Sequence, residues 1–367
     1  MLLTLLFALS SSQAMSPSVG LYVGTYTVGQ HSKGIYRLQL NTQTGMLSEP
    51  TLAVEAVNPS FLALDSTGRF LYAVNESVEG EVRAYAVGRN RDLTPINSQP
   101  SLGGWPCHVS VCPGDKSVLV ANYRDGSVAG LAVRADGSLS SANESFKNTG
   151  TGPNRERQEG PHAHSIFVDP KGLFAYSCDL GTDEVLAYPF HKAKGEPALS
   201  DPVRSKSPAG SGPRHGVFDP RGKFLYVDNE MTNSVSVFSV EPRSGALHEV
   251  QNIPTLPAGM TSHGSTTAEI VLHPNGKWLY VSNRGHDSIA GFEIGRDGRL
   301  KLIEIKDLSV KVPRGFAIDP TGKWLVAAGQ NSNDLEAMGI DPKSGALGPG
   351  GAKISVSSPV CVLFMKP

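Results

Sequence analysis

Histidine, arginine and glutamate gather at a few recurring points of this chain, where short apolar runs begin or end. Runs open on Cys107-His108, His162-Ala163-His164-Ser165, Arg214-His215 and Arg314-Gly315. Others close on Asn75-Glu76, Asn122-Tyr123-Arg124, Asp179, Asn229-Glu230 and Asn283-Arg284. Arginine presents a rigid fork suited to carboxylate or phosphate, and His and Glu are the usual general acid/base groups. Together they suit a compact anionic small molecule. Several members have plainer readings. His162 and His164 stand at i and i+2, so one strand face would carry both; they could be two metal ligands, but zinc would want a third, and no metal is expected. One of the two is expected to be a hydrogen-bonded structural histidine and His164 the functional one. Glu230 with Arg214 could be an ion pair stitching adjacent units of the fold, and Arg284 could pair with Asp287.

These points are meaningful only if something brings them together, and an internal repeat does. The phrase Asp65-Ser-Thr-Gly-Arg-Phe-Leu-Tyr-Ala-Val-Asn75 recurs as Asp219-Pro-Arg-Gly-Lys-Phe-Leu-Tyr-Val-Asp-Asn229 and as His273-Pro-Asn-Gly-Lys-Trp-Leu-Tyr-Val-Ser-Asn283. Weaker copies end at Asn122, Asp179 and Gly329. A period near fifty, made of strands and tight turns, indicates a propeller. A third, alternating strand follows each phrase, as in Ser234-Val-Ser-Val-Phe-Ser-Val240, often with a Gly-containing hairpin such as Arg243-Ser-Gly-Ala-Leu247. Counting third strands from Gly34-Ile-Tyr-Arg-Leu-Gln-Leu40 predicts seven blades in one all-β domain over residues 19–366. Ser358-Pro-Val-Cys-Val-Leu-Phe364 matches the opening strand and Gly20-Leu-Tyr-Val-Gly-Thr-Tyr26 the second. The last blade is therefore expected to be closed from both ends of the chain, leaving no open edge. In such a blade the start of strand one and the end of strand two share a face of the disc. The polar points above should then ring the mouth of the central channel.

Composition agrees with this picture. The 367 residues include 40 Gly and 26 Pro, roughly 18% against an average near 12%. A net charge of −1 with 18% charged residues is no nucleic-acid-binding surface, and 39% hydrophobic residues can fill a core. Residues 1–14 read as a possible secretory signal: an apolar run, then Ser10-Ser11-Ser12-Gln13-Ala14, without a basic n-region. The run is too short to span a bilayer. Periplasmic or secreted location is expected if it is a signal, cytoplasmic if translation starts at Met15. Cys107 and Cys112, five apart on one strand, should face opposite ways; they, Cys178 and Cys361 read as buried free thiols. His31, His191, His248 and His273 fall on turns or outer strands and are expected at the surface, whereas Trp278 and Trp324 are expected in blade packing.

The chain resembles the seven-bladed propeller lactonases, which include bacterial-type 6-phosphogluconolactonases and carboxy-cis,cis-muconate lactonizing enzymes. The likeness is carried by Arg157-Gln158-Glu159-Gly160-Pro161-His162-Ala163-His164-Ser165, by Gly212-Pro213-Arg214-His215 with Asn229-Glu230, and by Thr267-Ala268-Glu269-Ile270 with Tyr280-Val281-Ser282-Asn283-Arg284-Gly285. It implies a cofactor-independent and metal-independent hydrolysis of a small anionic lactone, 6-phosphogluconolactone foremost, with His164, Arg214, Glu230 and Arg284 as catalytic residues. His162, His215, Arg124, Arg314 and Glu76 are the expected substrate-binding residues. On this reading Arg214 and Arg284 clamp the anion and polarise the carbonyl, while Glu230 or His164 takes the proton of the attacking water. A muconate-type or unphosphorylated lactone, or a binding module without turnover, are the alternatives.

Overall fold

The computed structural model describes residues 17–191, 196–199 and 201–365; the segment expected to be a signal lies outside them. The described residues contain strands and turns and no helix, hence none able to cross a membrane. Seven antiparallel sheets form the blades of a propeller, six of four strands and one with a short extra strand. Blade 1 is built as anticipated: its inner strand is Pro359–Phe364, and Ser18–Thr25, Gly34–Asn41 and Thr51–Glu55 follow outward. The inner strands of blades 2 to 7 are Leu62–Leu64, Pro106–Val111, Ala163–Val168, Pro213–Phe218, Thr266–Leu272 and Pro313–Ile318. The apolar core lies between blades as seven clusters, each shared by neighbouring sheets.

The recurring phrase has two physical duties. Its leading Asp caps the turn: Asp219 Oδ1 accepts from the backbone N–H groups of Lys223 and Phe224 at 2.6 and 2.7 Å, and Asp169 and Asp319 do the same. In four blades its Tyr then ties the blade to the next. The hydroxyls of Tyr72, Tyr176, Tyr226 and Tyr280 donate to the carbonyls of Gly137, Gly245, Gly298 and Gly345, each in the outer hairpin of the following blade. Trp324 closes the ring from blade 7 to blade 1 by donating to the Thr42 carbonyl. The hairpin glycines are required twice over. Gly298 sits at φ +79°, and a Cβ there would strike the Phe224 ring. Gly298→Ala is therefore expected to cost about 2 kcal/mol, through left-handed backbone strain and overpacking, and to lower the urea midpoint without changing the slope.

One surface expectation fails. His273 is buried, because it replaces the turn Asp of the other phrases. Its Nδ1 accepts from the Asn275 N–H, and its Nε2 donates to the Gly322 carbonyl of blade 7. His31, His191 and His248 are exposed as expected. The four cysteines are free and buried, and Trp278 packs against Gly345 of the next blade.

Candidate active site

Six of the seven inner strands slip register against their partners at the first or second residue; Leu62–Leu64 of blade 2 pairs without a slip. Pro106 pairs with Asn122, but His108 with Ala121; Ala163 pairs with Asp179, but Ser165 with Cys178; Pro313 pairs with Gly329, but Gly315 with Ala328. The extra residue in these three blades is Cys107, His164 or Arg314. In blade 5 the slip falls between Pro213 and Gly216 and takes in Arg214 and His215. Such bulges bend a strand and re-aim one side chain. Repeated around the disc, they turn this position toward the axis. In blades 1, 2, 3 and 5 the residue after the second strand faces it: Tyr26, Glu76, Tyr123 and Glu230, joined by Arg284 at the end of its own strand.

Together these groups line a cavity of about 350 Å³ at the mouth of the channel, with a wall from every blade: Tyr26, Glu76, Cys107, His164, Glu230, Arg284 and Arg314, completed by Trp105, Tyr123, Arg157 and Thr266. Glu230 is the hub. Its Oε1 accepts from Arg157 Nη2 at 2.7 Å, and its Oε2 from Arg214 Nε at 3.0 Å, with Arg284 Nη2 at 3.1 Å. Burial alone would raise this carboxyl; the Arg284, Arg214 and Arg157 guanidiniums override it and hold it far below the usual range. Glu230 is thus a permanent anion. Burial, with the repulsion of Arg214 and Arg314 added, brings Arg284 down to about 10 despite Glu230, so it stays charged at neutral pH.

His164 is neutral. Burial first, then Arg214, His215 and Arg314, push its pKa well below the ordinary value. Its Nε2 lies 3.9 Å from Glu230 Oε2 and its Nδ1 3.7 Å from Cys107 Sγ. Burial raises the Cys107 thiol, which makes it wall rather than nucleophile. Arg314 differs from the other cavity cations. Among the described residues its guanidinium donates no hydrogen bond and forms no ion pair; it lies 5.5 Å from the Tyr26 ring centroid. Glu76 accepts from Tyr26 and Ser60 hydroxyls.

The remaining expected residues take supporting places. Arg214 does not line the cavity; it is buried behind Glu230 and also donates to the Ala268 carbonyl. The Arg214–Glu230 pair lies within blade 5, and the wider network reaches blade 6 and the 148–162 segment. His215 lies beneath the cavity, its Nδ1 3.0 Å from Glu269 Oε1, with its ring edge-on to His108 and His164. Burial raises Glu269 to about 7, and burial with Arg214 lowers His215. His162 precedes its strand, so the pair does not share a strand face as expected. Its ring stacks on Tyr123, Nδ1 donates to the Tyr123 carbonyl at 2.8 Å, and Nε2 lies 3.2 Å from Glu159. Arg124 stands exposed at the rim, its Cζ 5.8 Å from the Trp105 ring centroid. Asp287, a candidate partner for Arg284, instead pairs with Lys311 at 3.3 Å. No group of three or more His, Cys, Asp or Glu side chains among the described residues could hold a metal ion.

Sequence reasoning missed Tyr26, Trp105 and Thr266, and gave Arg157 no place at the site. Tyr26 was findable: it follows its strand as Glu76 and Glu230 follow theirs. Arg157 was not, since it reaches Glu230 from a segment without strands.

The chain matches the family model described as "Lactonase, 7-bladed beta-propeller" over residues 20–364. It is 38% identical to the 6-phosphogluconolactonase of Bacillus subtilis, over 94% of this chain and 97% of that one. It is 33% identical to the 6-phosphogluconolactonase of Formosa agariphila, over 89% and 94%. The solved periplasmic gluconolactonase of Pseudomonas aeruginosa superposes with a TM-score of 0.88 at 31% identity, over 95% of this chain and 99% of that one. A seven-bladed disc, a mouth lined from all blades and these likenesses agree: the chain belongs to the seven-bladed β-propeller lactonase family.

Proposed function

We propose that this protein hydrolyses a sugar 1,5-lactone to its open acid, with anionic 6-phosphogluconolactone as the preferred substrate. The observation that carries the reading is a neutral His164 facing, in one cavity, a Glu230 anion fixed by three guanidiniums and an Arg314 guanidinium that, among the described residues, donates no hydrogen bond and forms no ion pair. Uncommitted donors aimed into a partly desolvated cavity are what an oxyanion requires, and an unprotonated imidazole is what water needs to lose a proton.

Of Glu230 and His164, we take His164 as the base. Glu230 is held too acidic to accept a proton from water. His164 Nε2 takes that proton as the water oxygen bonds to the lactone carbonyl carbon. The imidazolium so formed lies beside the Glu230 carboxylate, which stabilises it. Arg314, with Arg284, stabilises the tetrahedral oxyanion. Collapse breaks the bond between the carbonyl carbon and the ring oxygen, and the His164 proton passes to that oxygen. Arg214 and Arg157 act by fixing Glu230.

The test is lactone opening above the spontaneous rate, followed by proton release at pH 6.5 with 6-phosphogluconolactone, glucono-1,5-lactone and a muconolactone. Enzymatic opening of the sugar lactones, with the highest kcat/KM for the phosphorylated one, is expected. Rates at background for all three would remove the assignment.

A further inference from the structure

Trp105 stands where a large side chain is least at home. It precedes the proline of its inner strand with φ +52°, and the equivalent residues are Asn58, Gly212, Val312 and Ser358, all at positive φ. Glycine and asparagine occupy this region readily; a bulky residue there is strained, and such strain concentrates at functional sites. The indole lines the cavity and is 43% exposed. The other two tryptophans serve blade packing: Trp278 is buried, and Trp324 donates to Thr42.

The backbone fixes Trp105 against Arg124. The Trp105 N–H donates to the Ser77 carbonyl at 2.7 Å; its carbonyl accepts from Tyr123 at 3.0 Å, and the Gly104 carbonyl accepts from Arg124 at 3.1 Å. A Cβ on Gly104 would come within 2.7 Å of Arg124 Cδ, so glycine there permits the close approach. Among the described residues the Arg124 guanidinium forms no ion pair and donates no hydrogen bond; its recorded neighbour is the indole. The pair is also near the chemistry. Cys107, whose Sγ is 3.7 Å from His164 Nδ1, lines the same cavity as Trp105.

We propose that Trp105 and Arg124 form an outer subsite of the cavity that receives the apolar C–H face of a six-membered sugar lactone on the indole and the phosphate on its far carbon at the guanidinium. The inference rests on the lactonase reading above and names what sets its substrate preference. An aromatic face supplies flat apolar area with little rotamer cost. Three of the inner arginines are committed to Glu230, so the outer end of the substrate meets Arg124.

The test compares 6-phosphogluconolactone with glucono-1,5-lactone. Arg124→Ala is expected to lower the ratio of their kcat/KM values at least 10-fold, with a weaker salt dependence for the phosphorylated substrate. Trp105→Gly should raise KM about 10-fold for both while leaving Tm unchanged or higher, since glycine adopts the backbone without strain. Trp105→Phe should recover most of the affinity. An unchanged ratio in Arg124→Ala, as expected if Arg314 takes the phosphate, or an unchanged KM in Trp105→Gly, overturns the subsite. If the wild-type protein opened no lactone, the function above would fail by itself. Tryptophan fluorescence would still decide the subsite: 6-phosphogluconate should change it saturably, with Kd at least 10-fold weaker in Arg124→Ala, and no change overturns it.

Discussion

Glu230→Gln is expected to lower kcat/KM for the sugar lactone at least 100-fold and to destabilise the folded protein by about 3 kcal/mol. Both effects follow from one change of charge. The carboxylate accepts from Arg157 and Arg214 and has Arg284 at 3.1 Å. Arg214 is buried and Arg284 nearly so. An amide of the same shape still offers one oxygen, but it leaves buried guanidiniums without a counter-charge, a loss that typically costs about 3–5 kcal/mol. The lower end applies because Arg157 is 40% exposed. The activity loss comes from the missing partner of the His164 imidazolium and from arginines free to reorient. The pH dependence separates charge from shape. In the folded protein Glu230 is held below its ordinary value, so its stabilisation is fully present above about pH 4.5, the usual carboxyl range. It is lost as pH falls through the folded-state value. Urea unfolding of wild type and variant at pH 7 and pH 4 should therefore show a stability gap that narrows in acid. A gap of the same size at both pH values, or a variant with normal kcat/KM, would falsify the role given to this carboxylate.

The arrangement around Glu230 shows how much of the site was legible beforehand. Blade count followed from the repeat, because Asp219, Phe224 and Tyr226 each perform a local duty that recurs in most blades. The Asp caps a turn, the aromatic covers a hairpin glycine, and the Tyr reaches the next blade. A duty repeated is a pattern written in the sequence. The fine aim of the side chains was not. Strict alternation would set Cys107 and His108 on opposite faces, and His162 with His164 on one. The register slip at the head of six inner strands breaks that alternation; a proline stands at four of the slips, but the one that aims His164 begins at Ala163. The pairing of Arg157 with Glu230, 73 residues apart, is a tertiary event with no local signature. Trp105 was hidden for a related reason: it occupies a turn position whose only requirement elsewhere is a positive φ.

His164→Ala should reduce kcat by roughly 10² to 10⁴, the usual worth of a placed acid/base group, and leave Tm within a few degrees of the wild type. The contrast with Glu230 is structural. Among the described residues the His164 side chain makes no short hydrogen bond; its polar neighbours include Cys107 Sγ at 3.7 Å and Glu230 Oε2 at 3.9 Å. Removing it leaves no charge unpaired. The acid limb of the pH profile carries the stronger test. A base works only unprotonated, and burial with Arg214 keeps this imidazole unprotonated to well below its ordinary value near 6.5. The wild-type kcat/KM should thus stay level as pH falls through 6.5 and decline only in more acidic solution. Stability runs with it in sign. The folded-state values of His108, His164 and His215 are all lowered, so the unfolded chain takes up their protons first, and below about pH 6.5 they favour unfolding. Profiles should therefore be recorded over minutes, before acid unfolding contributes. His164→Ala should lose the acid limb along with the rate, whereas Glu230→Gln, in which the imidazole survives without its carboxylate neighbour, should retain an acid limb displaced to lower pH. A His164→Ala enzyme with the wild-type rate would return the proton-accepting role to another group.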